Sequence, residues 1–420
     1  MTDAIARSLH PNGLRVVTET LAQLRSVTIG AWVGTGARDE TDVQAGSSHF
    51  LEHLLFKGSA DRSAREIAET IENVGGEMNA FTSHEQTVFY VRVPSEHLEL
   101  ATDVLSDVVW NPAFRADEVE TERQVILEEI GMRDDTPDDL VHDLFGTTIF
   151  PQHVLGREVI GFSETVAAMS RESIREYHAA HYVPSNVVFA AAGDLDHDQF
   201  ATLVGNNAPQ TSAHRPARTN ADAGVTKPLG LIERDTEQAH LVMGTRGFAQ
   251  HDDDRYAFTV LNHVVGGGMS SRLFQEVREM RGLAYSVYSF RAAYEDAGFL
   301  GIYAGTAVER VHETLEVIHA QLDRLIRDGS VTTTELDAAK SSLKGSLVMS
   351  LETSSSRMRR LGRGELVDGE IPSLDELAAR VDRVTLDDVA RVVDRVLRDQ
   401  PRSLAVVGPF EASDFAAAHA

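Results

Sequence analysis

The sequence contains no cysteine. Disulfides, thiolate nucleophiles, iron–sulfur clusters and cysteine-ligated zinc are therefore excluded together, and any transition metal must rest on histidine and carboxylate. Lysine is nearly as scarce: Lys57, Lys227, Lys340 and Lys344 are the four in the chain, so the basic charge is almost all arginine. Positive charge is short overall, with 39 Lys and Arg against 65 Asp and Glu and a net charge of −26. That is the wrong sign for a surface that tracks phosphate backbones or anionic lipid, whereas it draws in cationic ligands. No nucleic-acid partner is expected, and basic ones are favoured. No apolar run approaches the roughly 18 residues of a membrane span, so no membrane-crossing segment is expected. The opening MTDAIARSLHPNGL lacks the apolar core of a secretory signal and the length and Arg/Ser richness of a transit peptide, which points to a cytoplasmic protein.

What is present is ordinary for a globular chain: 420 residues, 42% hydrophobic and 25% charged. That length suggests two to four domains. Strand-like stretches at Leu14–Glu19 and Val27–Val33 precede an apolar helix that Ser47 or Ser48 can N-cap and that runs through Phe56. Further helices are expected over Ala64–Val74, Glu96–Val109, Ala116–Arg133 and Glu172–His181, with strands over Glu77–Thr82, Gln86–Pro94 and Val187–Ala192. Strands interrupted by helix pairs indicate an α+β layer architecture. Residues 206–228, proline-bearing and without hydrophobic period, read as a linker between domains at 1–205 and 229–420. The second half repeats the first in outline, HLVMGTRGFAQHDDDRYAFTVLNHVVGGG answering SVTIGAWVGTGARDETDVQAGSSHFLEHLLFKG, so the chain reads as a duplicated α/β-layer domain. In this register His49, Glu52 and His53 face Thr259, Asn262 and His263, so whatever chemistry the first copy carries, the second has lost.

The pentapeptide His49-Phe50-Leu51-Glu52-His53 sets two imidazoles at i and i+4, about 40° apart around a helix, with Glu52 on the same side. Two ligands and a base can share one face, as in the inverted H-x-x-E-H zinc motif. A catalytic zinc needs a third protein ligand and an open position. On the helix ADEVETERQVILEEIGMR, Glu122 and Glu129 are seven residues apart and therefore about 20° apart. Read alone, the first helix is also compatible with polar residues turned to solvent, and the second with a solvated acidic face.

HFLEHLLFKGS, GGEMNAFTSHEQTVFY, ERQVILEEI, HYVPSN and GGGMSSRLFQEVREMRGLAYSV together resemble the pitrilysin-type (M16) zinc metallopeptidases, particularly the single-unit branch similar to mitochondrial processing peptidase. The resemblance implies one zinc per chain on His49, His53 and Glu129, with Glu52 as general base and Glu122 behind the ligands. It implies that Asn79, Ala80 and Phe81 form the edge that pairs with substrate backbone, and that Arg278 and Tyr285 meet the substrate carbonyl and the tetrahedral intermediate. Asp139 and Asp143 match an acidic pair that reads arginine. The activity implied is zinc endopeptidase action on extended or presequence-like, basic peptides in a closed chamber. The partner implied is a second copy or a related chain, with the zinc of one chain facing Arg278 and Tyr285 of the other. The alternative is a noncatalytic assembly subunit of the same fold, although such relatives usually lose the motif. His178 and His181 at i and i+3 could hold a second metal, but the resemblance pairs no carboxylate with them; Gly266–Gly268 could suggest a phosphate loop but lacks the P-loop lysine.

Overall fold

The structure is a computed structural model that describes residues 5–218 and 223–419. The described residues divide into two compact units. The first draws on Met1–Ile130, Glu158–Thr219 and Met349–Ser373, and the second on Gly131–Arg157, Asn220–Val348 and Leu374–Ala420.

The first unit is built on a six-stranded sheet: β1 (Ile5–Leu9), β2 (Arg15–Thr20), β3 (Ser26–Val33), β4 (Glu77–Thr82), β5 (Thr87–Pro94) and β6 (Val187–Gly193), in the order β1-β2-β6-β3-β5-β4. β2 and β6 run parallel, and the remaining neighbours are antiparallel. The central strands β3 and β6 are buried on both faces, which is why SVTIGAWV and VVFAAAG read as apolar runs rather than as alternation. Ile29, Ala31, Phe89 and Phe189 face the main core with helix Leu98–Trp110 and the motif helix Ser47–Leu54. On the other face Trp32, Val88, Val188 and Ala190 are covered by Met358 and Leu361 of helix Ser354–Arg363, supplied from far along the chain. The approach is close: a Cβ on Gly362 would lie 2.1 Å from Trp32 Nε1. Glu19, wholly buried at the rim of this face, is paired with Arg357 and Arg360.

The second unit repeats the plan with β7 (Leu229–Glu233), β8 (Gln238–Gly247), β9 (Ala284–Ala293), β10 (Gly298–Ala307) and β11 (Ser403–Gly408), ordered β7-β11-β8-β10-β9. β7 and β11 are the parallel pair. This order matches β2-β6-β3-β5-β4 strand for strand, so the duplication extends to topology, and β1 is the strand without a counterpart. Here Leu140, Val141, Phe145 and Ile149 of helix Pro137–Ile149 cover one face of the sheet, against Val242, Tyr303, Ala405 and Val407.

The units therefore do not follow one cut between 1–205 and 229–420. Each sheet has two apolar faces, and the helix that closes one of them comes from the other half of the sequence. The expected linker is pinned rather than loose: Asn12 donates to Pro209 O (3.0 Å), Ser185 to Ala213 O (2.9 Å), and Arg218 grips Asp39 with two bonds of 2.8 and 2.9 Å. Positions 219–222 of that segment, like residues 1–4 of the N-terminal reading, lie outside the described residues.

Candidate metal centre

The motif helix begins one residue earlier than its serines suggest. Gly46, at φ 96°, occupies the N-cap, a left-handed conformation that glycine adopts without steric cost. Buried N–H groups at the start of the helix that lack an intrahelical partner are met by a distant carboxylate: Glu40 accepts from Gly46 N (2.8 Å) and Ser48 N (2.7 Å). Ser48 is turned inward, its hydroxyl bonded to that of Tyr177 (2.9 Å). The helix ends at Leu54 and a 3₁₀ turn, Leu55–Lys57, follows.

On that fixed helix His49 and His53 stand with ring centroids 4.8 Å apart. Glu129, from helix Ala116–Asp134, brings Oε2 to 3.7 Å from His49 Nε2 and 3.5 Å from His53 Nε2. Ligands about 2.0–2.1 Å from a tetrahedral zinc lie roughly 3.3 Å from one another, so two imidazole nitrogens and a carboxylate oxygen at these separations fit the ion. Among the described residues these three form a group able to hold a metal, with one donor atom from each within 4.8 Å of the others.

The supports of the two histidines differ. His53 Nδ1 donates to Glu122 Oε2 (3.1 Å), which reserves Nε2, on the Glu129 side, as the nitrogen that would ligate a metal. Glu122 is itself buried, its side chain 3% exposed, and its other oxygen takes Lys57 Nζ at 2.8 Å. Burial works to lower the His53 pKa, but the bonds to Glu129 and Glu122 outweigh it and leave it raised. Burial brings His49 down to about 4, so its ring is neutral and suited to ligation, while its Nδ1 has no hydrogen-bond partner. The bond to His53 comes first in holding the Glu129 pKa below its ordinary value. Glu52, on the same helix, is pushed up by burial, with Thr82 at the end of β4 partly opposing the shift. A carboxylate of raised basicity beside two imidazoles and a second carboxylate can accept and return a proton.

Residues 15–162 match the family model for Insulinase (Peptidase family M16), and residues 168–343 match that for the Peptidase M16 inactive domain. An uncharacterized zinc protease of Streptomyces coelicolor is 45% identical over 97% of this chain and 90% of its own. One of Bacillus subtilis is 42% identical over 96% and 98%. The chain belongs to peptidase family M16. Among solved structures, a protease from Helicobacter pylori shares the fold with a TM-score of 0.89 at 22% identity, covering 97% of this chain and 100% of that one. A structure described as the peptidase M16 inactive domain from Pseudomonas fluorescens gives 0.89 at 22% identity, over 97% and 98%.

In this M16 chain the stretch matched to the inactive domain contains helix Arg255–Gly266, which carries Thr259, Asn262 and His263. The Thr259 hydroxyl is spent on Arg255 O (2.8 Å). His178 bonds Val109 O (3.0 Å), and burial lowers its pKa to about 4; His181 bonds Thr35 (2.9 Å). Both are structural. Gly266 closes its helix, with Gly267 and Gly268 exposed beyond it.

Asn79 and Ala80 lie on the edge strand β4, where the outward N–H of Ala80 is held by the Asn79 side chain (2.8 Å). Ala80 faces the motif-helix side with the main core, whereas Phe81, its neighbour, turns to the opposite face. There its ring meets Trp32 edge-on at 6.0 Å, so its side chain is directed away from Glu52. Arg278 and Tyr285 belong to the second unit and touch each other, the guanidinium 4.4 Å from the ring centre of a tyrosine that is 79% exposed. Asp139 and Asp143 share helix Pro137–Ile149 in that unit: Asp139 is exposed, and Asp143 is bound by Arg133 at 2.9 Å.

Sequence reasoning missed Glu40 and Lys57. Lys57 sits within HFLEHLLFKGS, and its one signal was being a lysine in a chain with four; Glu40 gave none.

Proposed function

We propose that the protein is a zinc-dependent endopeptidase that hydrolyses extended peptides, with His49, His53 and Glu129 as ligands of one zinc per chain. The observation that carries this reading is the convergence of those three donors beside Glu52. When bound, the ion would polarise the peptide carbonyl and acidify water. Glu52 accepts the proton of the attacking water at its carboxylate, a role its raised basicity favours, and delivers it to the leaving amine. Glu122, neutralised by Lys57, holds His53 in one tautomer and one orientation. The edge of β4 aligns the peptide by main-chain bonds, for which the substrate displaces the Asn79 carboxamide from Ala80 N–H.

The retained motif supports catalysis over a purely assembling role; the inactive-domain match falls on the half that lacks the motif. Basic, presequence-like substrates and a cytoplasmic setting are part of the proposal, as is enclosure of the peptide in a chamber. So is a homodimer, or a heterodimer with a related chain, in which Arg278 and Tyr285 of one chain serve the zinc of the other. For the dimer, mixing Glu52→Gln with Arg278→Ala under confirmed subunit exchange restores activity; continued silence refutes it. For the activity, Glu52→Gln is expected to keep zinc and to lose at least about a hundredfold in peptide turnover, read by mass spectrometry on a mixed library with and without chelator. Near-native turnover by that variant sinks the base assignment, and chelator-insensitive cleavage sinks the metal reading.

A further inference from the structure

Helix Ser354–Arg363 closes the sheet face that the motif helix does not touch, and it carries arginines at 357, 359, 360 and 363. Three of them pair with acids: Arg357 and Arg360 with Glu19, and Arg363 with Asp368. Arg359 is different. Its guanidinium lies over two rings, 5.4 Å from the centre of Phe81 and 5.3 Å from that of Tyr90, with Nη2 at 3.4 Å from the Tyr90 hydroxyl. Among the described residues it makes no salt bridge, in a chain whose net charge is −26. The one hydrogen bond of its guanidinium runs from Nη2 to the Tyr90 hydroxyl, and its other N–H groups can meet a carboxylate.

Its position gives this a use. Phe81 belongs to the free-edge strand β4, paired with Val88 on its inner side. In any strand added to that edge, the residue opposite Phe81 places its side chain on the same face as Phe81, because directly opposed residues share a face. The face carries Phe81, Tyr90 and Arg359, whereas the residue opposite Ala80 turns toward the motif helix. We infer that Arg359 is a specificity-determining residue that recognises an acidic side chain, Asp or Glu, on the peptide residue paired opposite Phe81. This rests on the reading that substrate adds to β4. The acidic preference occupies one fixed position relative to the cleaved bond, distinct from any position at which arginine is read.

The test uses the zinc-loaded full chain and C-terminally amidated peptides carrying Ala, Asp or Arg at each position in turn, comparing wild type, Arg359→Ala and Arg359→Glu. An exposed charge pair supports a preference of about two- to fivefold. Wild type is expected to cleave Asp over Arg by that ratio at one position, Arg359→Ala to level the ratio there, and Arg359→Glu to invert it. An unchanged Asp-to-Arg ratio at every position overturns the inference, as does a preference confined to peptides with a free C-terminal carboxylate. A parallel set N-methylated at successive backbone nitrogens separates the two readings. Loss of cleavage at the pairing positions with a flat Asp-to-Arg ratio discards Arg359 alone. No position sensitive to N-methylation discards the edge reading and the inference with it.

Discussion

Lys57→Met removes the cation that neutralises a buried acid without touching a metal ligand. Glu122 keeps its bond to His53 at 3.1 Å but loses Lys57 at 2.8 Å, and its side chain is only 3% exposed. Breaking a fully buried pair costs about 3–5 kcal/mol. Lys57 is 36% exposed, so solvent already screens part of the interaction and about 1–3 kcal/mol is the appropriate scale. With Lys57 gone, nothing fixes the second Glu122 oxygen, so the carboxylate is held less firmly against the His53 Nδ1–H. Supports of this kind typically contribute about 10- to 100-fold to metal affinity. Zinc affinity by chelator competition is therefore expected to fall by about tenfold or more in Lys57→Met, with a lowered unfolding temperature by calorimetry. Glu122→Gln keeps an acceptor for His53 and is expected to lose affinity too, whereas adding Lys57→Met to it changes little, since the charge to be neutralised is gone. Equal zinc affinity in wild type and Lys57→Met, or fully additive losses in the double variant, would refute the chain from Lys57 through Glu122 to His53.

Three further outcomes are expected. Gly362→Ala forces a methyl to 2.1 Å from Trp32 Nε1 and should cost about 1–3 kcal/mol in denaturant unfolding; an unchanged midpoint means that the helix shifts freely on its sheet. Glu335, whose pKa is lowered to about 2 chiefly by its hydrogen bond to Arg272, contributes stability that is present above the ordinary carboxylate value of 4.5 and is lost as pH falls toward about 2. Arg272→Met should flatten that part of the pH–stability curve, and an identical acid limb contradicts the pairing. With Asp143 already bound by Arg133, Asp139→Asn should reduce any preference for arginine before the cleaved bond more than Asp143→Asn does, which cleavage-site profiling measures; equal effects would return the role to the pair.

The parts of the centre that could be read in advance are those encoded by local periodicity. His49, Glu52 and His53 share a helix, where spacing alone fixes mutual direction, and the seven-residue interval from Glu122 to Glu129 does the same on the second helix. Which acid faces the imidazoles depends on how the two helices pack, and the family resemblance rather than the spacing pointed to Glu129. Glu40 caps a helix across a loop and Lys57 meets an acid 65 positions later, so no periodicity records either. The serines before the motif looked like caps because their side chains commonly cap helices, yet tertiary burial took Ser48 for Tyr177. Strands β2 to β6 were legible, and the second sheet as a repeat in outline, whereas β1 was not read. Helices Pro137–Ile149 and Ser354–Arg363 were not read, and even a recognised amphipathic pattern states that a face is buried without saying against what.

That last arrangement bears on how the chain is made. The first sheet is complete in strands once β6 has left the ribosome, but the helix that covers Trp32, Val88 and Val188 begins only at Ser354. At about 5–20 residues per second, synthesis takes roughly 10–30 s to reach it. During that interval a finished sheet waits with one apolar face bare, wide open to non-native strands and to neighbouring nascent chains. The first unit must therefore mature after most of the second has been synthesised, although its own strands come first. A fragment ending at residue 205 would be frozen in that waiting state, and a chaperone that shields apolar sheet faces has its longest opportunity in the same period.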